Sequence, residues 1–177
     1  INEFLSDLVD DVLADLEERG CLETEEDDIF PLRMGAIASV YYLSSRTAQV
    51  FLEDVEEQLP IEKLLQIVSD AAEFDELPVR HNEDKVCEEL AEDDGVRMEL
   101  QHFDYEDPHV KANLLMQANL SRMQLPLSDF VGDTNSVLGQ CIRIIQALID
   151  TAADGGFLWT TINAVTLMQM LVQAQWH

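Results

Sequence analysis

The chain has 177 residues, of which 47% are hydrophobic, so one domain with a sizeable core is within reach. Seven glycines and five prolines are few, which disfavours a turn-rich all-β protein. The net charge of −26 argues against a general polyanion binder, because holding phosphates requires Lys and Arg.

The charge is unevenly spread. Residues 1–106 carry 31 acidic and 7 basic side chains, whereas residues 107–177 carry five aspartates, no glutamate and three basic side chains. The nearly neutral C-terminal part therefore has more surface open to contact. Cys21, Cys87 and Cys141 are odd in number and widely spaced, which implies no disulfide framework or zinc site and fits a reducing compartment. The acidic, amphipathic start is not a signal peptide. The charge-free stretch from Gly155 to Trp176 holds Asn163, Gln169, Gln173 and Gln175, too polar for a membrane span.

Phe4, Leu5, Leu8, Val12 and Leu16 mark a first helix ending near Gly20. Cys21 to Leu32 reads as a short hairpin with the acidic run Glu25–Asp28 at its tip. Helices follow at about 34–43 and 47–55, and Pro60 suits the first position of the next, which carries Leu64, Leu65, Ile67, Val68, Ala71 and Ala72. Another spans about 82–91, and Glu92–Tyr105 is a charged loop without periodicity. Asp107–Pro108 predicts a capped helix start, with the helix running to about Leu125 and stopped by Pro126. Asp133 or Thr134 caps a long helix ending before Gly155–Gly156, and a final helix occupies about 159–175. The expected fold class is an all-α helical bundle of seven or eight helices with one small hairpin.

No phosphate loop and no glycine-rich dinucleotide motif occur, so no nucleotide cradle can be argued and no ATP hydrolysis is expected of this chain. Asp75–Glu76–Leu77 has only a superficial likeness to a helicase ATPase box. His81 beside Glu83 and Asp84 could hold a metal, but a solvated acidic loop accounts for it, and no metal or other cofactor is expected here. The acidic pairs Asp10–Asp11, Glu56–Glu57 and Glu88–Glu89 read as solvated helix faces.

The helix at 133–153 stands apart. Val137, Leu138, Cys141, Ile142, Ile144, Ile145, Leu148 and Ile149 form a wide apolar face, leaving Ser136, Gly139, Gln140, Arg143, Gln146 and Ala147 as a polar stripe. That stripe holds no acid until Asp150. Small and amide side chains with one Arg suit a phosphate backbone. They equally suit packing against another helix or domain, with Arg143 paired to a nearby aspartate.

The runs PLRMGAIASVYYLSSRTAQVF, ELPVRHNED, DPHVKANLLMQANLSRMQL, IRIIQALID and QMLVQAQW, in this order over nearly the whole chain, resemble the Sec63 homology unit of Ski2-like superfamily-two helicases. The resemblance implies that residues 1–32 are the end of a winged-helix domain, its last helix and wing hairpin, and that 33–177 form the helical bundle. It implies a ratchet helix at 133–153, with Gln140, Arg143, Ala147 and Ser136 facing a single strand. The implied role is a non-catalytic accessory domain that braces the motor domains and lines the strand path. ATP and magnesium would belong to motor domains elsewhere in the parent. Implied partners are the motor and winged-helix domains, the following helix-loop-helix and immunoglobulin-like domains, and single-stranded nucleic acid, bound weakly. Protein subunits of a parent complex are further partners, and no membrane is expected; the compartment is the nucleus, the cytoplasm or both. The alternative is a protein-docking scaffold in a regulatory cassette, with no strand contact.

Overall fold

A computed structural model of the chain describes residues 2–25 and 28–177, with the backbone alone for residues 2 and 3. Eight α-helices and one hairpin appear among them, so the protein is all-α. Helix α1 spans Asn2–Glu18, strands β1 and β2 span Leu22–Glu25 and Asp28–Pro31, and α2 and α3 span Arg33–Tyr41 and Ser45–Asp54. Helices α4 (Ile61–Ser69) and α5 (Glu83–Ala91) flank a single 3-10 turn at Ala72–Phe74. The C-terminal half holds α6 (Pro108–Leu120), α7 (Ser128–Asp154) and α8 (Leu158–Gln173). The strands pair antiparallel, with Leu22 opposite Pro31 and Glu25 opposite Asp28. Two residues of the expected acidic tip, Glu26 and Asp27, lie outside the described residues.

Helix α6 is the centre of the bundle. From Val110 to Ala118 every residue is buried, which removes the one-sided pattern of a surface helix. Its buried polar side chains secure the surrounding segments. Gln117 accepts from the backbone N–H groups of Arg97 and Met98 and donates to the Met98 carbonyl, fixing the loop that lacks periodicity. Asn113 donates to Gln66 and to Ser69 on α4, and Asn119 donates to the Leu171 carbonyl on α8. Among the described residues, no buried side-chain nitrogen or oxygen lacks a partner. The DPHVKANLLMQANL run is therefore the polar skeleton of a buried helix.

Four helix boundaries differ from the sequence expectation, the first being the end of α4 at Ser69, which leaves Ala71 and Ala72 to the 3-10 turn that follows. Pro60 precedes α4 as its N-cap, so it sits one place before the first helical position. Helix α6 ends at Leu120, well short of Pro126, because Arg122 adopts a left-handed φ of 50° and Met123 N–H returns to the Ala118 carbonyl. Helix α7 begins at Ser128, five residues before Asp133. Phe130 is fully buried and anchors that extra turn, while the Asp133 carboxylate binds two cations and caps nothing.

Candidate nucleic-acid-facing helix

Phe130, Val137, Cys141, Ile144, Ile145, Leu148 and Ala152 bind α7 to the core, which leaves the opposite side of the helix open. Ser136 is exposed, as the stripe predicts. Gln140 and Arg143 are only half-open, and Ala147 is fully buried, so Ala147 cannot meet a strand directly. Ile142, expected on the core side, is 42% exposed. The open line runs through Gly132, Asn135, Ser136, Gly139, Ile142 and Gln146. It is turned from the expected stripe by about 50°, roughly half of one residue's step around an α-helix. Helix α2 packs against one flank of α7, with contacts from Arg143 to Asp154, and Arg143 is turned toward its end.

Arg143 shows how α2 is held. Its Nε donates to Gln140 Oε1 at 2.8 Å, and its Nη1 donates to the Tyr41 carbonyl at 2.9 Å and also to the Tyr42 carbonyl. Those carbonyls end α2, where unpaired acceptors and the helix dipole attract a cation. The sequence leaves a nearby aspartate open as the partner of Arg143. In the structure all its acceptors are neutral, so its charge is not cancelled by a carboxylate. Two turns along, Tyr41 Oη donates to Asp150 at 2.7 Å, a second tie between α2 and α7. Arg122 plays the same part at the end of α8, donating to the Ala174 and Gln173 carbonyls.

Gly132 and Gly139 both lie on the open line, and a methyl group added at either would meet nothing within 4 Å. The line thus combines two bare backbone positions, Asn, Ser and Gln side chains, one exposed Ile and a neighbouring guanidinium. It can accept a close-lying polar chain, and it carries no general base or nucleophile.

Below the open line, α7 is registered by a buried charge network. Lys111 Nζ, with no exposed side-chain surface, donates to Glu83 Oε2 at 2.6 Å and to Asp133 Oδ2 at 2.7 Å, and also to the Pro78 carbonyl. It also sits 4.7 Å from the centre of the Phe130 ring. Arg80 closes the network on Glu83 and on both oxygens of Asp133. Burial pushes the Asp133 and Glu83 carboxyls up, but the hydrogen bonds from Arg80 and Lys111 prevail and hold both below the usual carboxylate range. Glu83 is thereby committed to these cations and not to a metal with His81. The sequence offered ELPVRHNED and DPHVKAN only as motifs; that Arg80, Glu83, Lys111 and Asp133 form one unit depends on folding across 53 residues.

Among the described residues, no group of three His, Cys, Asp or Glu is placed to hold a metal ion. All three cysteines are free and buried. Burial raises each thiol, Cys87 to about 11 and Cys141 to about 12, so they remain protonated and unreactive. No described helix is long and apolar enough to cross a membrane.

Residues 31–177 match the family model described as the Sec63 Brl domain. Over 177 residues, 99% of this chain, it is 46% identical to activating signal cointegrator 1 complex subunit 3 of Dictyostelium discoideum. It is 44% identical over 99% of its length to the DExH-box ATP-dependent RNA helicase DExH14 of Arabidopsis thaliana. With the human U5 small nuclear ribonucleoprotein 200 kDa helicase the identity is 39%, again over 99% of the chain. In each case the chain spans only 8% of the relative's own length. The buried network, the central polar helix and the end of α2 all lie within the matched residues 31–177, and the chain belongs to the Sec63 Brl domain family.

Proposed function

We propose that this chain is a non-catalytic accessory domain of a large ATP-dependent RNA or DNA helicase, bracing the motor domains while α7 lines the path of the single strand. The observation that carries the reading is the open line of α7. In a chain with 36 acidic residues, this face presents none from Gly132 to Gln146, and Arg143 beside it keeps a charge that no carboxylate cancels. A polyanion could approach there, beside a cation that the charge-free α8 lacks. ATP and magnesium are assigned to motor domains outside this chain.

The test leaves the fold alone. Ser136→Glu and Gln146→Glu place carboxylates on exposed positions of the open line, where each should shift stability by no more than about 0.5 kcal/mol. In the full-length helicase both should slow strand separation while basal ATP hydrolysis continues. Unwinding at the wild-type rate by the double variant would remove the strand from α7.

A second reading, a protein-docking platform, has its own observation. Leu158, Trp159 and Ile162 at the start of α8 are 64%, 59% and 45% exposed, forming an apolar patch apart from α7's open line. Trp159→Ala should then release a partner subunit without affecting unwinding.

A further inference from the structure

Tyr42 is the most exposed large apolar side chain among the described residues, at 86%. It occupies the left-handed position that closes α2, with φ 53° and ψ 47°, while Leu43 N–H returns to the Ala38 carbonyl at 2.8 Å. Glycine or asparagine ordinarily fills such a position, since a left-handed backbone crowds any other side chain. An aromatic ring held there and left in water serves no packing purpose in this domain.

The backbone beneath the ring is fixed. Arg143 holds the carbonyls of Tyr41 and Tyr42, and the Tyr41 hydroxyl is bound to Asp150. The ring is therefore presented from a rigid base beside a guanidinium whose acceptors are all neutral, at the edge of α7's acid-free line. A flat aromatic face, an uncancelled cation and neutral polar neighbours together suit a flat, uncharged ring joined to a phosphate. We propose that Tyr42 is a stacking platform for one unpaired base of the strand on α7, with Arg143 positioning the Tyr42 backbone. This rests on the strand-path reading and adds that the strand is gripped through a base as well as its backbone. Stacking is tolerant of sequence, since every base has a π-face.

Strand displacement by the full-length helicase, on a tracking strand with all its bases and on one with a run of abasic sites, tests this. Tyr42→Ala should slow displacement on the complete strand by on the order of tenfold, within the range one stacked base contributes. Tyr42→Phe should behave as the wild type. On the abasic run, wild type and Tyr42→Ala should be equally slow, because the partner of the ring is gone. An equal fractional loss on both strands, no loss on either, or a melting temperature lowered by Tyr42→Ala would overturn the platform. If Ser136→Glu slows unwinding and Tyr42→Ala does not, the platform fails and the strand path stands. If neither has an effect, both fail.

Discussion

Lys111 carries a charge with no contact to solvent, held by Glu83, Asp133, the Pro78 carbonyl and the face of the Phe130 ring. Lys111→Met keeps the length of the side chain but leaves two buried carboxylates facing Arg80 alone. Breaking a buried pair in this way should cost about 3–5 kcal/mol. For a domain of this size that corresponds to a fall in melting temperature of roughly 6–20 °C. The pH dependence has a definite sign. Both carboxyls are depressed in the fold, so the unfolded chain takes up their protons first as pH falls. Their contribution is complete above about pH 5 and is lost as pH falls below about 4 through the folded values. Lys111→Met should flatten the acid limb of the stability curve, measured by denaturant titration from neutral pH downward. A limb as steep as the wild type's would place the acid sensitivity elsewhere.

At the scale of the helix, the sequence shows α7's existence, its length to within a turn and a half, and its apolar side, because eight apolar positions share one periodicity. It does not show which polar residues stay open. Glycine, alanine and glutamine suit both a solvent face and a helix–helix contact, and the choice is made by α2, about 100 residues earlier in the chain. Ala147 was therefore misplaced on the open side and Ile142 on the core side. Gln140 and Arg143 fall on the border. Tyr42 is not legible in the sequence for a related reason: its ring is in solvent because of the left-handed backbone at the end of α2, which only the fold shows. The clamp that Arg143 makes on α2, joined to the strand contact proposed for it, gives a sharp expectation. Arg143→Leu removes the donors at the end of α2, which should lower stability by about 1–2 kcal/mol. It should also remove about one phosphate contact in the full helicase, reducing the salt slope of binding by about one. Melting temperature and the salt dependence of binding, taken on the same variant, separate the two. An unchanged melting temperature would mean that the clamp on α2 contributes nothing, and an unchanged slope that Arg143 is a clamp alone.

Across the whole molecule, the asymmetry of charge limits what the domain does unaided. Most of the acid lies on elements before α6, and that field repels a polyanion even where α7 is neutral. The isolated chain should accordingly bind single strands at physiological salt no tighter than about micromolar, the range of sequence-independent binding. Sub-micromolar binding by fluorescence anisotropy would relocate the binding energy to this domain. On the strand-path proposal, the grip should arise only when motor domains bring their own cations to the strand.

Gly132 and Gly139 bear on how α7 came to have its present composition. Each sits inside a helix with open space where a methyl group would go. Alanine there would restrict the unfolded chain and favour the helix by about 0.5–1 kcal/mol at each site. The fold thus leaves about 1–2 kcal/mol of available stability unused, at two places that face the same way. Selection for the domain's own folding would fill both sites; selection for something lying close against the helix backbone would keep them bare. Gly132→Ala with Gly139→Ala should raise the melting temperature of the isolated chain by roughly 2–8 °C. In the full helicase the same pair should slow translocation, so a domain more stable alone would be a worse part of its machine.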